Sequence, residues 1–326
     1  MASRERVGTM VGAMDAADPT VRYVCMPGSP YTGSTLLGFL LNSHPRCASI
    51  GAATGLTSRI DLSTYTCSCG ERFMDCAFWV GIATRTAELG HPVTVFEKDY
   101  WNTHVRLSRR RWLNGILIRS LGSSPLNAAR DAIVGRAGPI RRMMAEARLS
   151  SWSLARAVLE ATGADVFVDT ARDHQRPRYL MGDQMLDVKV LHLVRDPRGN
   201  TASIVKHTGV DVSRAARQWR HYNLEADRLS KRFPKGSWML LHYEDLCADP
   251  QGTLDRLAAF IGVGPEPIPR DLGTVEHHII GNSMRLKGVG EIREDHAWRE
   301  VLDGGDLRAI ARITGSASHR LGYEWP

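Results

Sequence analysis

Residues 21–45 read VRYVCMPGSPYTGSTLLGFLLNSHP, and this stretch decides the fold. Val21, Val24, Cys25 and Met26 make a short apolar run suited to a buried strand. A turn rich in Gly, Pro, Ser and Thr follows, and then an apolar helix from about Ser34 to Leu41. In such a strand, loop and helix order the loop's N–H groups and the helix N-terminus face one point, which favours an anion. Gly28 and Gly33 allow the backbone to approach it closely. His44-Pro45 ends the helix, because proline disfavours helical geometry in the residue before it.

The two glycines have the spacing of an ATP/GTP-binding P-loop, and Thr35 sits where that pattern has Ser/Thr. Ser34 occupies the lysine position. A nucleotide triphosphatase so changed loses its lysine contact to the β- and γ-phosphates. The loop is therefore expected to hold a phosphate-like anion other than a triphosphate.

Downstream, short strands alternate with helices. Val166-Phe167-Val168-Asp169 is a buried-strand candidate ending in a carboxylate, and Val188–Val194 (VKVLHLV) is the clearest second strand. Residues 213–233 carry Trp219, Tyr222, Ala226, Leu229 and Phe233 at helical steps, so these aromatics are assigned to the core. Trp238–Leu241 is a further strand; Asp249 then caps, and Pro250 begins, a helix burying Leu254, Leu257, Ala258 and Ile261. This alternation argues for a parallel sheet with right-handed crossovers. Between these blocks, residues 46–100 are expected to be rich in loops. About 100–162 are expected to be mainly helical, with breaks at 121–127 and near Gly138-Pro139, and with Ser150 or Ser151 capping a last helix. The expected organisation is a flexible leader over 1–19 and one α/β domain over 20–326, with a helical insertion at about 100–162. A Pro/Gly-rich stretch from Gly262 to Gly273 leads into the tail.

With 43% hydrophobic and 24% charged residues the 326-residue chain has an ordinary globular composition. No apolar run reaches the roughly 18 residues of a membrane span, and the N-terminus lacks the apolar core of a secretory signal, so a cytoplasmic protein is expected. The net charge of +7 suits an anionic ligand. The arginines are dispersed apart from Arg109-Arg110-Arg111, and no nucleic-acid motif is present. Of six cysteines, Cys25 and Cys247 are assigned to core packing. Cys67, Cys69 and Cys76 lie within ten residues and are compatible with zinc, although the fourth ligand is not identified in the sequence; a packed loop of free or redox-active thiols is the alternative.

Two stretches together resemble a known family. PGSPYTGSTLLGFLLNSHP is similar to the 5′-phosphosulfate loop of sulfotransferases that use 3′-phosphoadenosine 5′-phosphosulfate (PAPS). LHLVRDPRGNTASIVKH resembles their 3′-phosphate motif, an arginine after a strand with a serine eight residues later, here Arg195 and Ser203. LLHYEDLCADPQGTLDRLAAFIG and HHIIGNSMR also resemble sulfotransferase segments, and the cysteine run ending in Phe78-Trp79 resembles one found in some bacterial members.

The resemblance implies a P-loop-type doubly wound parallel sheet and transfer of a sulfuryl group from PAPS to a hydroxyl or amine of a carbohydrate or small metabolite, without a required metal. It implies donor contacts from Ser29, Tyr31, Thr32, Gly33, Ser34 and Thr35, and from Arg195 and Ser203, with Asn282, Arg285 and Lys287 closing over the nucleotide. Three departures stand out. Tyr31 stands where many relatives have a lysine or arginine that stabilises charge on the bridging oxygen. Gly51-Ala52-Ala53 lacks the glutamate that related protein-tyrosine sulfotransferases place there. An Asp-Ser-Ser-Lys stretch of some relatives reads Asp169-Thr170-Ala171-Arg172 here. Arg172 is therefore the candidate clamp on the sulfuryl group, and Asp169 a candidate base beside Asp61, Asp173, His174 and His207. The competing readings are a nucleotide-binding relative without catalysis and a P-loop kinase, the second disfavoured by Ser34. The acceptor and the oligomeric state are not legible.

Overall fold

The computed structural model describes residues 20–56, 60–97, 101–104, 129–130, 132–133, 136–173, 176–181, 184–269, 272, 277–281, 286 and 292–325. The elements, in chain order, are β1 (Val21–Cys25), α1 (Ser34–Asn42), β2 (Cys47–Ser49), α2 (Ala77–Glu88), α3 (Gly138–Thr162), β3 (Val166–Asp169), α4 (Arg176–Leu180), β4 (Leu186–Val194), α5 (Pro197–Thr208), α6 (Val212–Ser230), β5 (Trp238–His242), α7 (Tyr243–Ala248), α8 (Pro250–Ile261), α9 (Trp298–Val301) and α10 (Gly304–Arg320).

The strands form one parallel sheet in the order β2-β3-β1-β4-β5. Its centre reads as near-continuous apolar runs because both faces are covered, as a parallel sheet requires. Side chains alternate between the faces. Tyr23, Cys25, Phe167, Val188 and Val190 pack on one side with Trp79 and Ile82 of α2 and Trp152, Ala155 and Val158 of α3. Val24, Val166, Val168, Leu191 and Leu193 pack on the other with Leu37 and Leu40 of α1 and Leu254, Leu257 and Ile261 of α8. Beyond β4, Val194 meets Trp219 and Leu224 of α6 and Ala317 of α10.

The expected strands and the helices flanking 195 and 250 fall where the sequence places them. Asp249 caps α8 by accepting from Gly252 N at 2.9 Å. One expectation is corrected, that of the Ser150 or Ser151 cap, and elements stand in two stretches to which the sequence alone assigns none. The 46–100 stretch contains β2 and the twelve-residue α2, which buries Trp79, Ile82 and Thr86 on one face. Ser150 and Ser151 cap nothing: they lie buried inside the 25-residue α3, which starts at Gly138-Pro139. The tail carries α10, capped by Asp303 and Asp306 in a reciprocal capping box. The leader 1–19, the 121–127 break and Arg109-Arg110-Arg111 lie outside the described residues. Among the described residues no helix is long and apolar enough to cross a membrane.

Candidate functional site

After β1 the chain turns toward the β2 edge, and after β4 toward the β5 edge, yet β1 and β4 are neighbours. Their carboxyl ends therefore open a crevice, the usual ligand position in such sheets. The 26–33 loop enters it from β1, and the 195–203 segment from β4.

Two glycines let the loop lie close to the sheet. A Cβ on Gly28 would stand 2.9 Å from the Leu193 carbonyl oxygen. Gly33 has φ +91°, and a Cβ there would stand 2.6 Å from the Tyr243 ring. Ser29 and Thr32 are buried and shape the loop: Ser29 Oγ donates to Asn200 Oδ1 at 2.9 Å, and Thr32 Oγ1 to the Ser29 carbonyl at 3.1 Å. Asn200 Nδ2 donates to the Pro30 carbonyl at 2.7 Å, pinning the loop to α5. Asn200 was not among the residues singled out in the sequence, since its role appears only when α5 lies against the loop. The N-cap residue of α1 is Gly33, which brings no side-chain cap, and the first turn holds no acidic residue, an arrangement that suits an anion.

Arg195 leaves the end of β4 almost fully buried, at 7% exposure. Nη1 donates to Ser203 Oγ and to the Tyr31 carbonyl, both at 3.2 Å, so the two expected 3′-phosphate residues meet beside the loop. The guanidinium lies 4.8 Å over the Tyr243 ring, and Nη2 reaches Asp295 Oδ2 at 3.3 Å. The Ala297 N–H, with Arg195, holds the Asp295 carboxyl below the usual range. The turn is fixed from behind. Trp219 Nε1 donates to the Arg195 carbonyl at 2.9 Å, and the Asp196 N–H to Glu244 Oε1 at 2.8 Å. Burial raises the Glu244 carboxyl above its ordinary value. A forked cation at a strand end beside a hydroxyl of the following helix has the donors that an anion-binding pair needs.

Residues 187–267, which carry all of β4 but Leu186 together with Arg195 and Ser203, match the model of the sulfotransferase family. Over this segment the chain is similar to the sulfotransferase family. It is similar to carbohydrate sulfotransferase 5 of Mus musculus, at 28% identity over 179 residues, covering 44% of this chain and 44% of the relative. It is also similar to carbohydrate sulfotransferase 1 of Homo sapiens, at 35% identity over 107 residues, covering 26% of each. The chain thus spans less than half the length of these curated relatives. Among solved structures, the sulfotransferase domain from the curacin biosynthetic pathway is similar, at 17% identity and a TM-score of 0.49, covering 94% of this chain and 99% of that one.

The residues expected as base and clamp lie in different surroundings. Asp169, expected as a candidate base, is instead buried in a hydrogen-bonded network. Its carboxylate is 1% exposed and accepts from Tyr23 Oη at 2.8 Å, Ala53 N at 2.9 Å, Ala171 N at 2.8 Å and Arg176 Nε. Arg176, equally buried, also donates to the Thr103 carbonyl at 2.6 Å, so the pair locks the end of β3. Arg172 is exposed three residues beyond Asp169. Asp173 is half-buried, 3.9 Å from His104 Nδ1. Asp61 belongs to an exposed turn, accepting from Ser63. Tyr31 adopts φ 63° and stacks on His207, ring centroids 4.9 Å apart, which turns its ring onto α5. His174, Asn282, Arg285 and Lys287 lie outside the described residues.

The cysteine run is brought together with a residue from far along the chain. Cys67, Cys69, Cys76 and His278 have ligand atoms all within 4.8 Å of one another. His278 is the partner that the sequence left unidentified. Its signal, a histidine in HHII, is indistinct without the fold.

Proposed function

We propose that this chain is a PAPS-dependent sulfotransferase acting on a hydroxyl (or amine) of a carbohydrate or small metabolite. The observation that carries this reading is the pair of Arg195, at the end of β4, and Ser203, in α5, 3.2 Å apart, with Arg195 bonded to the loop that leads into α1. Such a pair recognises a phosphate monoester by forked and hydroxyl hydrogen bonds. The loop and α1 receive the 5′-phosphosulfate, with the Tyr31–Thr35 backbone as its donors.

In the reaction the acceptor oxygen forms a bond to sulfur as the bridging S–O bond breaks. The electron pair goes to the 5′-phosphate oxygen, giving adenosine 3′,5′-bisphosphate, and the acceptor's proton leaves to a base. Alignment and neutralisation of charge supply most of the catalysis, as in phosphoryl transfer. Arg172 is assigned as the clamp on the sulfuryl oxygens. Asp173 takes the place of Asp169 as the base, supported by its position in the same post-β3 segment and by its half-buried carboxylate near His104. A carbohydrate acceptor is supported by the names of the two curated relatives.

In this reading residues 20–326 form one P-loop-type doubly wound domain, with about 100–162 inserted between strands that meet in a single sheet. Six cysteines without a disulfide suit a reducing, cytoplasmic setting.

The test is calorimetric titration with adenosine 3′,5′-bisphosphate, with adenosine 5′-monophosphate and ATP as controls. Binding that depends on the 3′-phosphate is expected. Preference for ATP with magnesium, or no binding to any of the three, overturns the reading. Incubation with radiolabelled PAPS and carbohydrate acceptors then separates catalysis from retention of the nucleotide alone.

A further inference from the structure

We propose that Cys67, Cys69, Cys76 and His278 form a closed, structural zinc site that clasps the tail segment 277–281 to the 65–76 loop.

The distances carry the assignment. Cys69 Sγ and Cys76 Sγ are 3.7 Å apart, and His278 Nδ1 stands 3.7 Å from Cys67 Sγ and 3.6 Å from Cys76 Sγ. Zinc binds thiolate sulfur at about 2.3 Å and imidazole nitrogen at about 2.0–2.1 Å in a tetrahedron. The edges of such a tetrahedron come to about 3.8 Å between sulfurs and about 3.6 Å between sulfur and nitrogen. These three separations fit those edges within about 0.2 Å, and all four ligand atoms lie within 4.8 Å of one another. A disulfide between Cys69 and Cys76 would need about 2.05 Å between the sulfurs.

The scaffold holds the ligands in place. Thr66 and Arg72 form an antiparallel bridge, and Cys67 N donates to the Glu71 carbonyl at 2.8 Å, folding residues 67–71 into a tight turn. Gly70, with φ +95°, supplies a backbone conformation that side chains disfavour. Cys76 is the N-cap residue of α2. Zinc with three thiolates and a neutral imidazole carries one negative charge, which the positive end of that helix offsets. Phe78 stacks on the His278 ring at 4.2 Å and 3°, fixing its plane. Ser68 ties the two segments beside the ligands: Oγ donates to the His277 carbonyl at 2.6 Å and accepts from Ile279 N at 2.7 Å. Tyr65 does the same across Gly281. Four protein ligands leave no open coordination position, so the role is structural.

The clasp has a definite consequence for the sheet. Ile280 N donates to the Ile50 carbonyl at 2.8 Å, and Thr170 N donates to the Gly51 carbonyl at 3.0 Å. The segment tied by zinc therefore runs beside the carboxyl ends of β2 and β3. On binding, three thiol protons pass to solvent and four coordinate bonds form, with no change of oxidation state.

The test is independent of nucleotide binding. The full chain is produced in zinc-supplemented medium under a thiol reductant, and its metal content is measured by mass spectrometry after gel filtration. One zinc per chain is expected, released by a mercurial that titrates the thiols. Titration of metal-free chain with cobalt(II) is expected to give the charge-transfer and ligand-field bands of a tetrahedral thiolate site. His278→Ala should lose the metal. His278→Cys should keep it with shifted cobalt bands, so that loss of binding in the first variant is not mistaken for misfolding. Iron in place of zinc, a Cys69–Cys76 disulfide, or a folded chain that takes up neither zinc nor cobalt overturns the assignment, as does full zinc content in folded His278→Ala.

Discussion

Replacing Arg195 by alanine separates the two phosphate contacts proposed for the nucleotide. In the fold the guanidinium serves two tasks: Nη1 holds the Tyr31 carbonyl and Ser203 Oγ at 3.2 Å, and the group lies at the crevice formed by β1 and β4. Hydrogen bonds to a charged group contribute about 1.5–3 kcal/mol, and the long 3.2 Å bond to the Tyr31 carbonyl is set below that range, at about 1 kcal/mol. At about 1.4 kcal/mol per factor of ten, loss of the 3′-phosphate contact weakens binding of adenosine 3′,5′-bisphosphate by roughly 10- to 150-fold. Loss of the Tyr31 contact acts on any ligand of the loop, and amounts to about fivefold. Calorimetry of wild type and Arg195→Ala with the bisphosphate and with adenosine 5′-monophosphate closes a cycle between the side chain and the 3′-phosphate. The bisphosphate is expected to lose much more than the monophosphate. Arg195→Lys should fall between, since it keeps the charge but not the fork. Equal losses for both ligands would refute the assignment and leave Arg195 as a brace of the loop alone.

Asp295 competes for the same guanidinium at 3.3 Å, with a side chain half exposed. An ion pair of this kind is worth about 0.2–1 kcal/mol, so Asp295→Asn should tighten bisphosphate binding by up to about fivefold; weaker binding would remove Asp295 as a competitor. Asp169→Asn should destabilise the fold by about 3–5 kcal/mol, because Arg176 is left buried without its counter-charge; an unchanged urea midpoint contradicts that account. His192 is buried against Asn223 Oδ1 at 3.1 Å, and burial lowers its pKa from 6.5 to about 4. Its folded form resists protonation, so this contribution is complete above pH 6.5 and disappears as pH falls to about 4. The loss comes to about 3 kcal/mol, and urea midpoints of His192→Gln across that window should fall less steeply than those of the wild type.

The central sheet and the two segments that meet at the β1–β4 crevice were legible because each rests on local pattern. Apolar runs of strand length, a glycine turn and Asp-Pro helix starts need no distant partner to be recognised. What the sequence hid depends on packing between remote segments. The α2 helix shows three buried residues, and its Ala/Thr/Gly-rich face reads as a loop until Trp79 and Ile82 meet α3 and β1. The α10 helix is identifiable only against α6 and α5, where Ile310 and Ala317 find their neighbours. Asp169 was misread for a related reason. A carboxylate at a strand end has the same sequence context whether it faces a substrate or, as here, a buried arginine seven residues later.

That misreading bears on how the proposed chemistry would be organised. The loop offers no side-chain cation: Tyr31 is turned onto His207, and its carbonyl is held by Arg195. Charge on the bridging oxygen would then be met by the N-terminus of α1, equivalent to roughly half a positive charge, and by whatever cation approaches from the β3 side. The buried Asp169–Arg176 pair fixes where that side ends, through Ala53, Ala171 and Thr103. Arg172 extends from the segment so fixed while remaining exposed. A rigid anchor followed at once by an exposed arginine lets the cation come from another strand than the loop itself. In that arrangement the position of the clamp depends on the end of β3, and the shape of the anion cradle on Asn200 and Gly33.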